Sequence, residues 1–134
     1  VRIGIEIEAA ALAAERRTEQ QSKGLIEAVD RMETARTPED FARHDLEFHK
    51  AVADASGNPF MASISALVEM ALTAAFTISS PVNEPEALTQ TVAVHRAIAE
   101  AILARDATAA REAMRVAIAE GFARAAGRME EAGR

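Results

Sequence analysis

Asp45, His49 and His95 are the residues of this sequence best suited to chemistry, because each sits where an apolar residue is expected. Placed at 100° steps, Phe41, Phe48, Val52 and Ala55 share one arc of a helix, while Glu39, Arg43, Glu47, Lys50 and Asp54 fall opposite. Asp45 lies inside the apolar arc and His49 at its edge, one turn later. A lone buried carboxylate is costly and normally has a partner or a metal. The i, i+4 spacing stacks the two side chains on one face, where they can hold one ion between them. The alternative is a buried Asp–His ion pair, or a neutral hydrogen-bonded pair. His95 repeats the anomaly in the middle of a stripe of Leu88, Thr91, Ile98, Ala99 and Ile102. A single histidine on an apolar face is ordinarily a satisfied core residue. Two helices that both aim such groups inward are harder to dismiss. One oxygen and two imidazoles suit Zn²⁺, Ni²⁺, Mn²⁺ or Fe²⁺, and three protein ligands leave positions for water or a small molecule. His44 points to the flank, next to Asp40, and reads as a surface or boundary residue.

The elements that must position these groups are helical throughout. No segment alternates over a strand length, whereas helical periodicity recurs along the chain. The first helix is expected over 1–17 and the second over 18–32, after a kink. Thr37 is a good N-cap for the third, with Pro38 at N1 and Glu39 and Asp40 at the positive helix end. That helix stops near Ser56–Gly57. The fourth runs from Asn58–Pro59 to about Ile78, and SSPVNEP is the clearest loop. The fifth spans about 85–104, Arg105–Asp106 is a tight break with Asp106 as N-cap, and the sixth runs from 107 to about Gly127. Short connections between long helices predict an all-α fold, an antiparallel bundle.

The bulk properties narrow the function classes. The 134 residues suit one domain, and 49% hydrophobic content excludes a disordered segment. Trp and Tyr are absent, so Ala, Leu, Ile, Val, Met and five Phe must build the core. With no cysteine, a disulfide scaffold, a thiolate metal site and a Cys nucleophile are all excluded, which fits a cytoplasmic protein. No apolar run is long enough to span a membrane, which takes about 18 residues. A net charge of −6 argues against gripping a phosphate backbone. The opening VRIGIEIEAAALAAERR reads like the middle of a longer chain, so an N-terminal partner domain is expected.

Taken in order, the motifs match a family. Asp45-Leu-Glu-Phe48-His49 continues as KAVADASGNPF, and His95-Arg-Ala-Ile-Ala-Glu-Ala-Ile-Leu-Ala-Arg-Asp106 is followed by Ala109-Ala-Arg-Glu-Ala-Met114. With the opening Val-Arg2-Ile-Gly-Ile-Glu6, these stretches resemble the C-terminal effector-binding domain of GntR-type transcription regulators, FadR subfamily (the FCD fold). The resemblance covers nearly the whole chain. It implies six or seven helices around a central ligand cavity, with the metal held by the Asp and His of the first motif and the His of the second: here Asp45, His49 and His95. It also implies a further His three residues after the Met, and there this sequence has Ala117. Ala117 shares an inward stripe with Ala110, Met114 and Gly121. Either water or effector completes a three-ligand shell, or the metal is gone and the space near Ala117 and Gly121 enlarges the effector pocket.

The resemblance further implies a small carboxylate or other metabolite as effector, a homodimer, and DNA contact only through a winged-helix domain before Val1. Arg2 stands where the family's first-helix arginine reaches the cavity; the alternative is a solvated arginine. Thr77 and Ser79 can offer hydroxyls to the effector, or simply solvate the helix end. An enzyme is not expected. The sequence has no Glu-x-x-His motif of a di-iron bundle, and of the possible general bases beside a metal, Glu47 and Glu69, Glu47 lies on the polar side.

Overall fold

The computed structural model describes residues 2–78 and 80–133, without the side chains at 2, 3, 69, 72, 73, 75 and 76. Its elements are α1 (Arg2–Arg16), α2 (Glu19–Thr34), α3 (Pro38–Ala55), α4 (Pro59–Ile78), α5 (Pro85–Leu103) and α6 (Ala107–Ala132). The described residues contain no strand. The all-α bundle expected from periodicity is therefore the observed fold.

Local chemistry explains most of the boundaries. Thr18 accepts a hydrogen bond from the Gln21 amide and Gln21 reaches back to the Thr18 amide, a capping box that starts α2. Thr37 accepts from the Asp40 amide and Asp106 from the Ala109 amide, as their types predict. Gly57 ends α3 with φ of 68°, a conformation that costs a glycine nothing. Two boundaries differ from the sequence reading. Helix α2 reaches Thr34, and α6 continues past Gly127 to Ala132. An interior glycine costs only about 1 kcal/mol, and Arg128 anchors the extra turns by donating to the Ile78 and Ser80 carbonyls.

Sequence neighbours are not always packing neighbours. Helices α2 and α3, α3 and α4, and α5 and α6 lie side by side, but among the described residues α1 does not touch α2, nor α4 touch α5. Instead α1 packs against α3, α5 and α6, while α2 spans α3 and α5. The sequence of α1 suits that central place. Ala9, Ala10, Ala13 and Ala14 are fully buried, and their small side chains let three helices approach closely. Around them Leu25, Val29, Met32, Phe41, Phe48, Val52, Ile98, Ile102, Met114 and Ile118 complete the core.

One end of the bundle is closed by arginines. Arg16 Nη1 donates to the Ser56 carbonyl at the end of α3 (3.2 Å). Arg17, itself buried, donates to the Ile102 and Leu103 carbonyls at the end of α5 (3.3 and 2.6 Å). Arg105 donates to the Glu15 and Arg17 carbonyls at the end of α1 (3.1 and 3.2 Å). Each guanidinium thus meets orphan carbonyls at the negative end of another helix. The C-termini of α1, α3 and α5 gather at this end, so these three helices run the same way. Arg105 does this from a left-handed backbone, φ 57°, a position that ordinarily favours glycine. Arg105→Ala keeps the backbone strain and loses both bonds, at an expected cost of about 1–2 kcal/mol in urea unfolding. Arg105→Gly relieves the strain and is expected to cost less. A larger loss for glycine than for alanine would contradict this division of roles.

Candidate metal and effector site

Three helices bring four ionisable side chains together in the core, away from the arginine-closed end. Helix α3 presents Asp45 and His49 one turn apart, at 7% and 4% exposure. Helix α5 presents His95 at 3% and α1 presents Glu6 at 8%. The apolar residues between them fix this geometry. Phe41, Phe48 and Val52 face inward on α3 and carry Asp45 and His49 with them, because residues three and four apart share a face. Ile98, Ala99 and Ile102 do the same for His95 on α5.

The two imidazoles converge on one oxygen. His49 Nε2 lies 3.0 Å from Asp45 Oδ1, and His95 Nε2 lies 3.2 Å from the same atom. Each ring is oriented from its far side. His95 Nδ1 donates to the Thr91 carbonyl (2.8 Å), and His49 Nδ1 stands 2.8 Å from Glu6 Oε1. Phe48 packs edge-on against both rings, with centroids 5.7 Å from His49 and 5.2 Å from His95. One donor atom from each of Asp45, His49 and His95 lies within 4.8 Å of the others.

The electrostatics follow from burial and contacts. Burial alone would raise the Asp45 carboxyl, but hydrogen bonds from His49 and His95 outweigh it and hold the group well below the usual carboxylate range. Burial also opposes a charged His49 ring. The Glu6 charge and the Asp45 hydrogen bond overcome this and push the ring up to about 10. Without an ion, the cluster is a buried carboxylate taking hydrogen bonds from two rings, with a second carboxylate behind one of them.

This arrangement meets the requirements of a divalent cation site. The ligand types fit, both rings have their Nδ1 side engaged, and a carbonyl or carboxylate behind a ligating ring is the usual second shell. An ion held by the two Nε2 atoms and Asp45 would take the place of the protons now shared between them. Both alternatives left open by the helical wheel, an ion pair and a metal site, are compatible with these contacts, since the same atoms serve each.

The other expected site residues are placed as follows. Ala117 is buried on the inward face of α6 beside Ala110 and Met114. Thr77 is half-buried near the end of α4. The side chains of Arg2 and Glu69 lie outside the described residues, as does Ser79. His44 is a boundary residue as read, though its partner is Glu47 at 3.1 Å, while Asp40 pairs with Arg43. Glu47 also faces Arg31 on the polar side, away from the triad.

Sequence reasoning missed two participants. Glu6 stands three, four and seven residues before Ala9, Ala10 and Ala13, all buried. It is an acid on an apolar stripe, so the wheel that singled out Asp45 would also have found it. Arg124 is seven residues after Ala117 on α6 and half-buried. Burial holds its guanidinium below the ordinary arginine value, partly offset by the charges of Asp45 and Glu120.

A search of curated proteins finds no match to the chain. The profile of the FCD domain matches residues 1–120. The chain therefore belongs to the FCD domain family, the helical effector-binding domains of GntR-type regulators.

Proposed function

We propose that this domain senses a small organic acid through a divalent ion held by Asp45, His49 and His95, within a FadR-type regulator. Membership of the FCD family makes it a ligand-sensing regulatory domain. The observation that carries the finer reading is the convergence of two buried Nε2 atoms on Asp45 Oδ1. Asp45 supplies the anionic ligand, His49 and His95 supply neutral nitrogens, and Glu6 and the Thr91 carbonyl hold the rings in the tautomer that leaves Nε2 for the ion. Zinc is the first candidate, with nickel, manganese and iron also compatible. The bound ion would polarise and orient a carboxylate by direct coordination. Arg2, Ala117 and Thr77 belong to the effector side in this reading, Ala117 by leaving space where a fourth protein ligand is expected.

Effector binding would shift the balance between arrangements of a homodimer, and so change how attached DNA-binding domains meet an operator. This chain carries no turnover chemistry in that scheme. The test is a thermal-shift screen of small carboxylates on purified protein, with zinc and with chelator. Stabilisation by at least one acid, enhanced by zinc, is expected. Stabilisation by acids that is indifferent to chelator would reject the metal-dependent form and leave a metal-free effector domain.

Ala117 gives a further prediction. Ala117→His places a fourth donor on the buried face of α6, where the family resemblance expects one. Zinc affinity is expected to rise about tenfold or more in competition with a chromogenic chelator. The added ring should also weaken carboxylate binding by occupying the open position. Unchanged zinc affinity in a folded variant would show that α6 does not face the ion.

A further inference from the structure

The inward stripe of α6 does not end at Ala117. Ala110, Met114, Ala117, Gly121 and Arg124 follow one another at intervals of three and four, so they share one face. The first three are buried in the core. Among the described residues, none places an atom within 4 Å of where a Cβ on Gly121 would stand. Helical side chains lean toward the preceding turn, which carries the long Arg124 stem back over Gly121 toward the level of Ala117.

Helix α5 supplies an independent sign of a ligand on the same side. Gln90 donates to Glu120 across the α5–α6 pair (3.2 Å), which sets the level of the two helices. Thr91 therefore stands opposite the segment between Ala117 and Gly121, and one turn before His95. Its hydroxyl is buried, at 1% exposure for the residue, and has no hydrogen-bond partner among the described residues. A buried orphan hydroxyl calls for an explanation, and a bound polar group is one.

The geometry points to Arg124 as the specificity residue of the effector site, binding one carboxylate of a dicarboxylate whose other carboxylate lies on the ion held by Asp45, His49 and His95. The guanidinium offers the planar fork that matches a carboxylate, and Thr91 offers a donor between the two ends. Ala117 and Gly121 are the smallest kinds of residue on that face, which suits the short carbon chain. This rests on the proposed reading of the triad as an ion site, and it narrows the effector from an organic acid to one with two anionic ends.

The test titrates the zinc-loaded chain with succinate and with propionate. Wild type is expected to prefer succinate by about tenfold or more. Arg124→Gln should abolish the preference by weakening succinate alone. Arg124→Lys, which keeps the charge without the fork, should retain part of it. Equal affinity for the two acids in wild type, or a preference that survives in Arg124→Gln, would overturn the assignment. Zinc affinity is measured separately, so a chain that binds no zinc would reject the metal reading alone. The succinate-to-propionate ratio of the metal-free chain then decides the role of Arg124.

Discussion

Asp45→Ala is expected to cost the metal-free protein about 3–5 kcal/mol at pH 6, read from urea unfolding, and to abolish zinc binding. One oxygen accepts from both rings, at 3.0 and 3.2 Å, so one substitution leaves two buried imidazoles without their common acceptor. His49 keeps Glu6 at 2.8 Å, and His95 keeps the Thr91 carbonyl. The side of each ring that faced Asp45 then loses its acceptor, beside the edge-on Phe48. Breaking a buried pair by deleting one partner is among the more damaging single changes, because the remaining charge is uncompensated. Asp45→Asn preserves shape and one acceptor, so an intermediate loss is expected. A metal-free dimerisation module with no use for Asp45 predicts the opposite, a protein whose stability and ligand response barely change in Asp45→Ala.

The second large effect is a divergence with pH between the metal-free and metal-loaded forms. His49 has its folded value raised from 6.5 to about 10, so its contribution to stability is fully present below pH 6.5 and is lost as pH rises toward 10. Asp45 is depressed from 3.8, so its contribution is present above that value and lost on acidification below it. The chelated protein should therefore be most stable between about pH 4 and 6.5 and should weaken on the alkaline side. Metal binding runs the other way. The ion needs the nitrogen that the His49 proton occupies, so each rise in pH removes competition and raises affinity. Melting temperatures followed from pH 6 to 8.5 should fall in chelator, while the increment given by zinc grows. A zinc increment independent of pH would mean that the ion binds elsewhere, since no His49 proton would then be displaced.

The sequence made different parts of this molecule legible for different reasons. Helices α3 and α5 were plain because caps, proline at N1 and apolar stripes agree, and their polar exceptions could only point inward. Asp45, His49 and His95 were therefore readable one helix at a time, and the structure brings them together. What packs beside what was less visible. The two-residue joint at Arg17–Thr18 looks like a simple connection, yet α1 leaves α2 to run through the centre, because its alanines permit an approach that α2 cannot match. That central course is what delivers Glu6 to His49. Its role depends on three helices meeting, which no single helical wheel contains, although its place on the Ala9–Ala13 stripe was a usable hint. Arg124 lies within the expected sixth helix, but its charge acts on Asp45 only through the packing of α6, which the wheel of α6 does not contain. The anchoring of Arg128 on the 78–80 segment, invisible in a local reading, keeps that part of α6 helical.

The central claim is that the buried triad holds an ion, and calorimetric titration of zinc into chelator-stripped protein at pH 7.5 addresses it most directly, with His49→Ala alongside. One zinc per chain is expected for wild type, with proton release that scales with buffer ionisation enthalpy, and binding should be lost in a folded His49→Ala variant. No saturable binding by wild type, or equal binding by His49→Ala, would contradict it and leave Asp45, His49, His95 and Glu6 as a buried ion-pair network.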